Sequence, residues 1–259
     1  MTGFWRRTAG DARTWNGGAE VGDSQSMKRP RTPSRFVLVG PPGAGKGTQA
    51  AWMSARLGVP TISSSETLRR AVSTNSPLGR SVKSLMATGE LVTDDVMNEL
   101  IRERLAESDA AAGFVLDGFP RTVAQAEALD RFAGEPAVVV VALHVPEVEI
   151  ERRLISRRVC TRCRTPQSVS SQNSGQRNCA YCGAPLEQRD DDDEATIKRR
   201  LFLYRNRTGP LLEYYQHRSR LIDIDGSLAA HKVSAEVARQ IALYGTRDGN
   251  EKTRNGTGT

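Results

Sequence analysis

The sequence predicts an α/β protein: a three-layer sandwich with a central parallel sheet of five strands, interrupted by two insertions. Three observations predict it. Short apolar runs rich in β-branched residues recur without the alternation of a half-solvated strand, so both faces of each should be covered. Amphipathic helical stretches separate those runs. The first run stops at a glycine loop that leads straight into a helix.

Arg35-Phe-Val-Leu-Val-Gly40 is the first strand, and helical residues follow from about Lys46 to Leu57. Pro60–Ser63 is a short strand, Phe114–Asp117 a third, Ala137–Val145 a fourth and Leu221–Asp225 the last. Helical patterns cover Asp94–Leu105 and Glu147–Arg158, and Ile197, Leu201 and Tyr204 mark another that includes Arg200. Two segments break the rhythm. Residues 63–92 read as helical but add no sheet strand, and residues 156–192 hold every cysteine. The folded unit is therefore expected over 35–245. The polar tails 1–34 and 246–259 are expected to be disordered, and a start at Met27 stays open.

Composition narrows the function classes. Hydrophobic residues make up 38% of the chain and charged residues 26%, as in soluble globular proteins, and no run reaches the length of a membrane helix. The formal charge of +7 suggests nucleic acid until it is located. Residues 1–35 hold seven Lys/Arg against three Asp/Glu, so the tail together with Arg35 supplies +4. The remainder gathers in arginine clusters suited to phosphates, so no polynucleotide partner is required. The N-terminal segment lacks an apolar core and a small-residue cleavage site, which argues against a secretory signal. A cytoplasmic monomer is the expectation.

Gly40-Pro-Pro-Gly-Ala-Gly-Lys-Gly-Thr48 lies between a strand and a helix, the context that makes a glycine-rich match a P-loop. Its glycines let several N–H groups turn inward onto phosphates at a helix N-terminus, and Lys46 reaches the outer phosphates. The hydroxyl that usually follows the lysine is displaced one position: Gly47 intervenes before Thr48. A second string, Asp117-Gly-Phe-Pro-Arg-Thr-Val-Ala-Gln125, places a carboxylate at a strand's ligand-gathering end. Pro120 is expected to start a helix that carries Arg121 and Gln125 on one face, a phosphate grip beside an amide that can pair with a purine. Cys160-Thr-Arg-Cys163 and Cys179-Ala-Tyr-Cys182 have the spacing of a four-thiolate zinc site. Disulfides are the competing reading, disfavoured in a reducing compartment. Metal binding would supply the folding energy that some thirty polar residues cannot.

The loop Gly-Pro-Pro-Gly-Ala-Gly-Lys-Gly-Thr-Gln, the Asp117–Gln125 string and the paired cysteines together resemble adenylate kinases whose lid contains zinc. The resemblance spans about residues 35–245. It implies reversible transfer of a phosphoryl group from Mg-ATP to AMP, giving two ADP. Segment 63–92 would be an AMP-binding insertion and 156–192 a zinc-holding lid. ATP would be held by Gly43, Ala44, Gly45, Lys46, Gly47 and Thr48, with Arg153 against the adenine and Arg157 on the phosphates. AMP would meet Ser64, Arg69, Leu91, Val92 and Gly118, with Arg121 on its phosphate and Gln125 on its base. Arg189 and Arg200 would also bind AMP and would complete the catalytic set of Lys46, Arg121 and Arg157. Asp117 would order Mg²⁺-bound water, and Asp191 and its neighbours would pair with the lid arginines. One departure stands out: Ser64-Ser65-Glu66 replaces the family's Thr-Gly-Asp, although Ser63 and Glu66 have capping-box spacing. A kinase for another nucleoside monophosphate, or a paralogue that binds nucleotide or nucleic acid with weak turnover, are the alternative readings.

Overall fold

The computed structural model describes residues 34–74, 79–80, 82–83, 92–163, 165–169, 175–188 and 192–254, by backbone alone at 74 and beyond 245. Leu91, Arg189, Asp191, the lid tip at 170–174 and nearly all of the 1–34 tail lie outside the described residues. In chain order the elements are β1 (Arg35–Val39), α1 (Lys46–Leu57), β2 (Thr61–Ser63), α2 (Ser64–Thr74), α3 (Asp94–Leu105), β3 (Phe114–Asp117), α4 (Val123–Ala133) and β4 (Val139–His144). Then come α5 (Glu147–Ser156), β5 (Arg157–Cys160), β6 (Pro166–Ser168), β7 (Leu186–Glu187), α6 (Glu194–Leu203), α7 (Gly209–Gln216), β8 (Leu221–Asp225) and α8 (Ala230–Arg254).

Five strands form one parallel sheet in the order β2-β3-β1-β4-β8. The apolar runs lack alternation because both faces are covered. Phe36, Leu38, Val141 and Ile224 pack with Met53 of α1 and Val237 of α8 on one side. Val37, Leu116 and Val140 pack with Leu129 of α4 and Tyr215 of α7 on the other. The chain leaves β1 toward β3 and β2, then crosses to β4 and β8. That reversal opens a crevice at the carboxyl ends of β1, β3 and β4, the place where open α/β sheets bind ligands.

Local chemistry moved several expected boundaries. The second strand starts at Thr61 rather than Pro60, since proline has no N–H for the ladder. The fourth is shorter than expected, Val139–His144. The helix after Asp117 does not start at Pro120. Thr122 stays extended and caps α4, its Oγ1 accepting from Gln125 N at 3.1 Å, so Arg121 stands outside the helix. The helix expected over Glu147–Arg158 ends at Ser156. Arg157 opens β5, whose antiparallel partners are β6 and β7, so Arg153 and Arg157 do not share a helix face. At α2 the capping-box serine Ser63 turns its Oγ to Ser65 Oγ at 3.0 Å. The last helix runs to Arg254, past the polar end expected at 245. Among the described residues no helix is long and apolar enough to cross a membrane.

Candidate active site

The glycine loop hangs between β1 and α1 with Gly43 and Gly45 at φ 81° and 93°. A Cβ on Gly43 would lie 3.0 Å from Leu154 Cγ, so the loop rests closely on α5. Lys46 is the first residue of α1, and its Nζ donates to the loop's own carbonyls, Gly40 O at 2.7 Å and Pro41 O at 2.9 Å. Burial lowers its pKa to about 8; Asp117 opposes that shift, and Arg121, Arg200 and Arg157 add to it. The charges that act on Lys46 show which groups the fold has gathered. They come from β3, the α4 approach, α6 and β5, four elements scattered over about eighty residues of sequence.

Asp117 ends β3 beside Leu38 of β1, and burial raises its carboxyl against the pull of Lys46 and Arg121. A Cβ added at Gly47 would lie 3.5 Å from Asp117 Oδ2. The glycine that displaces the usual hydroxyl therefore leaves room between the loop and a half-buried acid. That space and donor set fit a water-carried Mg²⁺.

Arg121 curls back on the turn after β3. Its Nε donates to Gly118 O at 2.8 Å and its Nη2 lies 3.5 Å from Ser64 Oγ, which itself donates to Gly118 O at 2.9 Å. Gly118 is at φ 82°, and a Cβ there would meet Ser64 Oγ at 2.7 Å. A side chain at 118 would thus push apart the serine and arginine expected to meet AMP. Gln125 is buried, its Oε1 accepting from Arg121 N at 2.7 Å and its Nε2 donating to Asp94 Oδ1 at 2.7 Å. Arg69 stands exposed on α2, and Thr48 is exposed on the first turn of α1.

On the other side, Arg153 is fully committed: Nε to Glu149 Oε1 at 2.7 Å, Nη1 to Gly226 O and Nη2 to Ser227 O, both at 2.9 Å. This clamps α5 to the turn after β8 and fixes the guanidinium plane. Arg157 forms a two-point pair with Asp192, Nε to Oδ2 at 2.7 Å with a closer Nη2–Oδ1 contact. Arg200 Nη1 reaches the same Oδ1 at 3.5 Å. The carboxylate shared by the arginines is thus Asp192, a neighbour of the expected Asp191, and its side chain has no solvent exposure. In a run of four aspartates nothing in the sequence singles it out. Removing its charge would leave two guanidiniums facing Lys46 with less to balance them. Asp192→Asn is expected to lower kcat about tenfold or more and the melting temperature by several degrees. Steady-state rates and a thermal melt check it; unchanged values in both would show that Asp192 does not hold the arginines.

The four cysteines form the second centre. Their Sγ atoms all lie within 4.8 Å of one another, with Cys160–Cys182 at 3.4 Å and Cys163–Cys179 at 3.6 Å. A disulfide needs about 2.05 Å. A tetrahedron with bonds of about 2.3 Å has edges of about 3.8 Å, so the set fits zinc. Backbone N–H groups of Arg162 and Cys163 point at Cys160 Sγ, and that of Tyr181 at Cys179 Sγ, all at 3.4 Å. Gln167 Nε2 adds a contact to Cys179 Sγ at 2.9 Å, while its Oε1 accepts from Ala180 N and Gln176 Nε2. These donors offset thiolate charge. One of the lid's polar residues is therefore pinned against a metal-ligand candidate.

A sequence model described as "Adenylate kinase" matches residues 38–220. An adenylate kinase of Methanocella arvoryzae is 45% identical over 211 residues, covering 80% of this chain and 98% of that protein. One from Salinispora tropica is 45% identical over 214 residues, covering 81% and 99%, and one from Moorella thermoacetica is 44% identical over 211, covering 80% and 97%. A phosphate loop, a convergent set of arginines and a four-thiolate lid occur together over a span that these relatives match nearly end to end; this chain belongs to the adenylate kinase family.

Proposed function

We propose that the adenylate kinase reaction runs in the crevice above β1, β3 and β4, with the residues gathered there in distinct roles. ATP lies along Gly43–Thr48, its phosphates on the loop amides and Lys46, its adenine against the clamped Arg153. AMP lies between Ser64, Arg69 and Val92 on one side and Gly118, Arg121 and Gln125 on the other. Arg157 and Arg200, with Arg189, close on the phosphates from the lid side. Segment 63–92 acts as the flap over AMP and 156–192 as the lid over ATP. The chain acts as a cytoplasmic monomer.

No general base is needed, because the attacking AMP oxygen is already anionic. The barrier falls through in-line alignment and neutralisation of charge spread over the transferring group. Asp117 would orient, through water, the Mg²⁺ that ATP carries, and that ion would supply further neutralisation of the phosphates. Cys160, Cys163, Cys179 and Cys182 would hold zinc, which would fix the lid's shape and supply no chemistry to the transfer. Closure of both flaps keeps water from the phosphoryl group.

One observation carries this reading: Lys46, Asp117, Arg121, Arg157 and Arg200 share one electrostatic environment. The test is ADP formation from Mg-ATP with AMP, CMP, UMP or GMP as acceptor. AMP-dependent ADP production is expected, with the other acceptors much slower. Preference for a different acceptor would move the substrate and overturn the role given to Gln125.

A further inference from the structure

Asp94 is the first residue of α3, behind the Thr93 cap, where an acid ordinarily does no more than complement the helix dipole. Here it does something else. Its Oδ1 accepts from Gln125 Nε2 at 2.7 Å and its Oδ2 from Thr122 Oγ1 at 2.8 Å. The other end of the Gln125 amide accepts from Arg121 N at 2.7 Å. A carboxylate can only accept and a backbone N–H can only donate. The two ends of the Gln125 amide are therefore assigned by unambiguous partners, and the group has one orientation.

We infer that Asp94 determines base selectivity: by locking the order of donor and acceptor on Gln125, it makes the acceptor site read a 6-amino purine and reject a 6-oxo purine. The inference rests on the proposed role of Gln125 at the AMP base. After its two internal bonds the amide keeps one acceptor lone pair on Oε1 and one N–H on Nε2. Adenine presents a donor at N6 beside an acceptor at N1, the complement of that pair. Guanine in the same pose presents an acceptor at O6 and a donor at N1, so each atom meets its own kind. An amide free to rotate by half a turn could serve either base. Asp94 and the Arg121 N–H oppose that rotation together, and Asp94 is the one that a side-chain substitution can remove. A site whose buried polar groups are left unpaired discriminates strongly, and this arrangement extends that penalty to the wrong purine.

The experiment compares kcat/KM for AMP and GMP, at fixed Mg-ATP, in four variants of the full chain. Asp94→Ala is expected to raise KM for AMP about tenfold and to cut the AMP-to-GMP ratio about 10- to 100-fold, with KM for ATP nearly unchanged. Asp94→Asn keeps one oxygen for Gln125 Nε2 if its NH₂ turns to Thr122, and is expected to hold the ratio within about threefold of the parent. Thr122→Val removes the other Asp94 bond and the α4 cap, so a lower melting temperature with the ratio kept is expected. Equal loss of selectivity in Thr122→Val and Asp94→Ala would mean general loosening and would overturn the inference. Gln125→Leu separates the two layers of argument. If it abolishes selectivity while Asp94→Ala keeps it, Asp94 is not the determinant; if it leaves selectivity intact, the base-reading role of Gln125 falls first.

Discussion

Lys46→Met is expected to reduce phosphoryl transfer by about 10³-fold or more while leaving the fold intact. The ammonium is held on the Gly40 and Pro41 carbonyls, ready to turn to an incoming phosphate. Its burial is unfavourable to the charged form, which is why its pKa falls to about 8 from 10.5. Between those values the unfolded chain holds a proton that the folded chain does not. The penalty is thus complete below about pH 8 and fades as pH rises toward 10.5. A neutral methionine removes it, so the variant is expected to melt no lower than the parent near neutral pH. The same shift makes phosphate binding pH-dependent. Phosphates require the charged lysine, so ATP affinity for the nucleotide-free enzyme is expected to drop as pH rises through about 8, with proton uptake on binding above it. Calorimetry in buffers of different ionisation enthalpy reads that uptake. A Lys46→Met enzyme with parental turnover, or equal proton uptake in both proteins, would remove the lysine from the phosphate site.

Much of the scaffold was legible because its physics is local or symmetric. Phe36–Val39 and Val115–Leu116 are covered on both faces, which writes itself into sequence as unbroken apolar runs. The loop from Gly40 to Lys46 was legible because only glycine tolerates the positive φ angles at 43 and 45. Contacts across sequence distance were not legible. Arg157 was read as helical since the residues before it keep a helical period, whereas its strand exists only because β6 and β7 pair with it. Asp94 is thirty-one residues from Gln125 and has the ordinary place of a first-turn acid. Asp192 is one of four consecutive aspartates, and its place between two arginines comes from β5, far from it in the chain, and from α6. These are charges whose work is to hold other groups, and such work leaves no period or motif.

The same distinction applies to the lid, where removal of zinc is expected to have the second large effect. Among the described residues of the lid, one small apolar cluster joins Cys160, Cys179 and Ala184, with Cys182 and Leu186 beside it, and three of those five residues are metal-ligand candidates. So little burial cannot offset the entropy of ordering some thirty residues. Structural zinc in small domains contributes about 10–16 kcal/mol near neutral pH, most of it realised as folding. Chelation is therefore expected to melt β5, β6 and β7 while the five-stranded sheet, with its own two cores, remains. Hydrogen exchange should rise across 157–169 and 175–188 and stay slow in β1, β3 and β4. The melting temperature should fall by about 10 °C or more, since each kcal/mol is worth about 2–4 °C at this size. Transfer should fall with it, because Arg157 opens β5 and pairs with Asp192 at the far end of the lid. Restoring zinc should restore both. A chelated enzyme shown to be metal-free, yet with parental melting and lid protection, would mean that polar contacts such as Gln167 to Cys179 hold the lid without a metal.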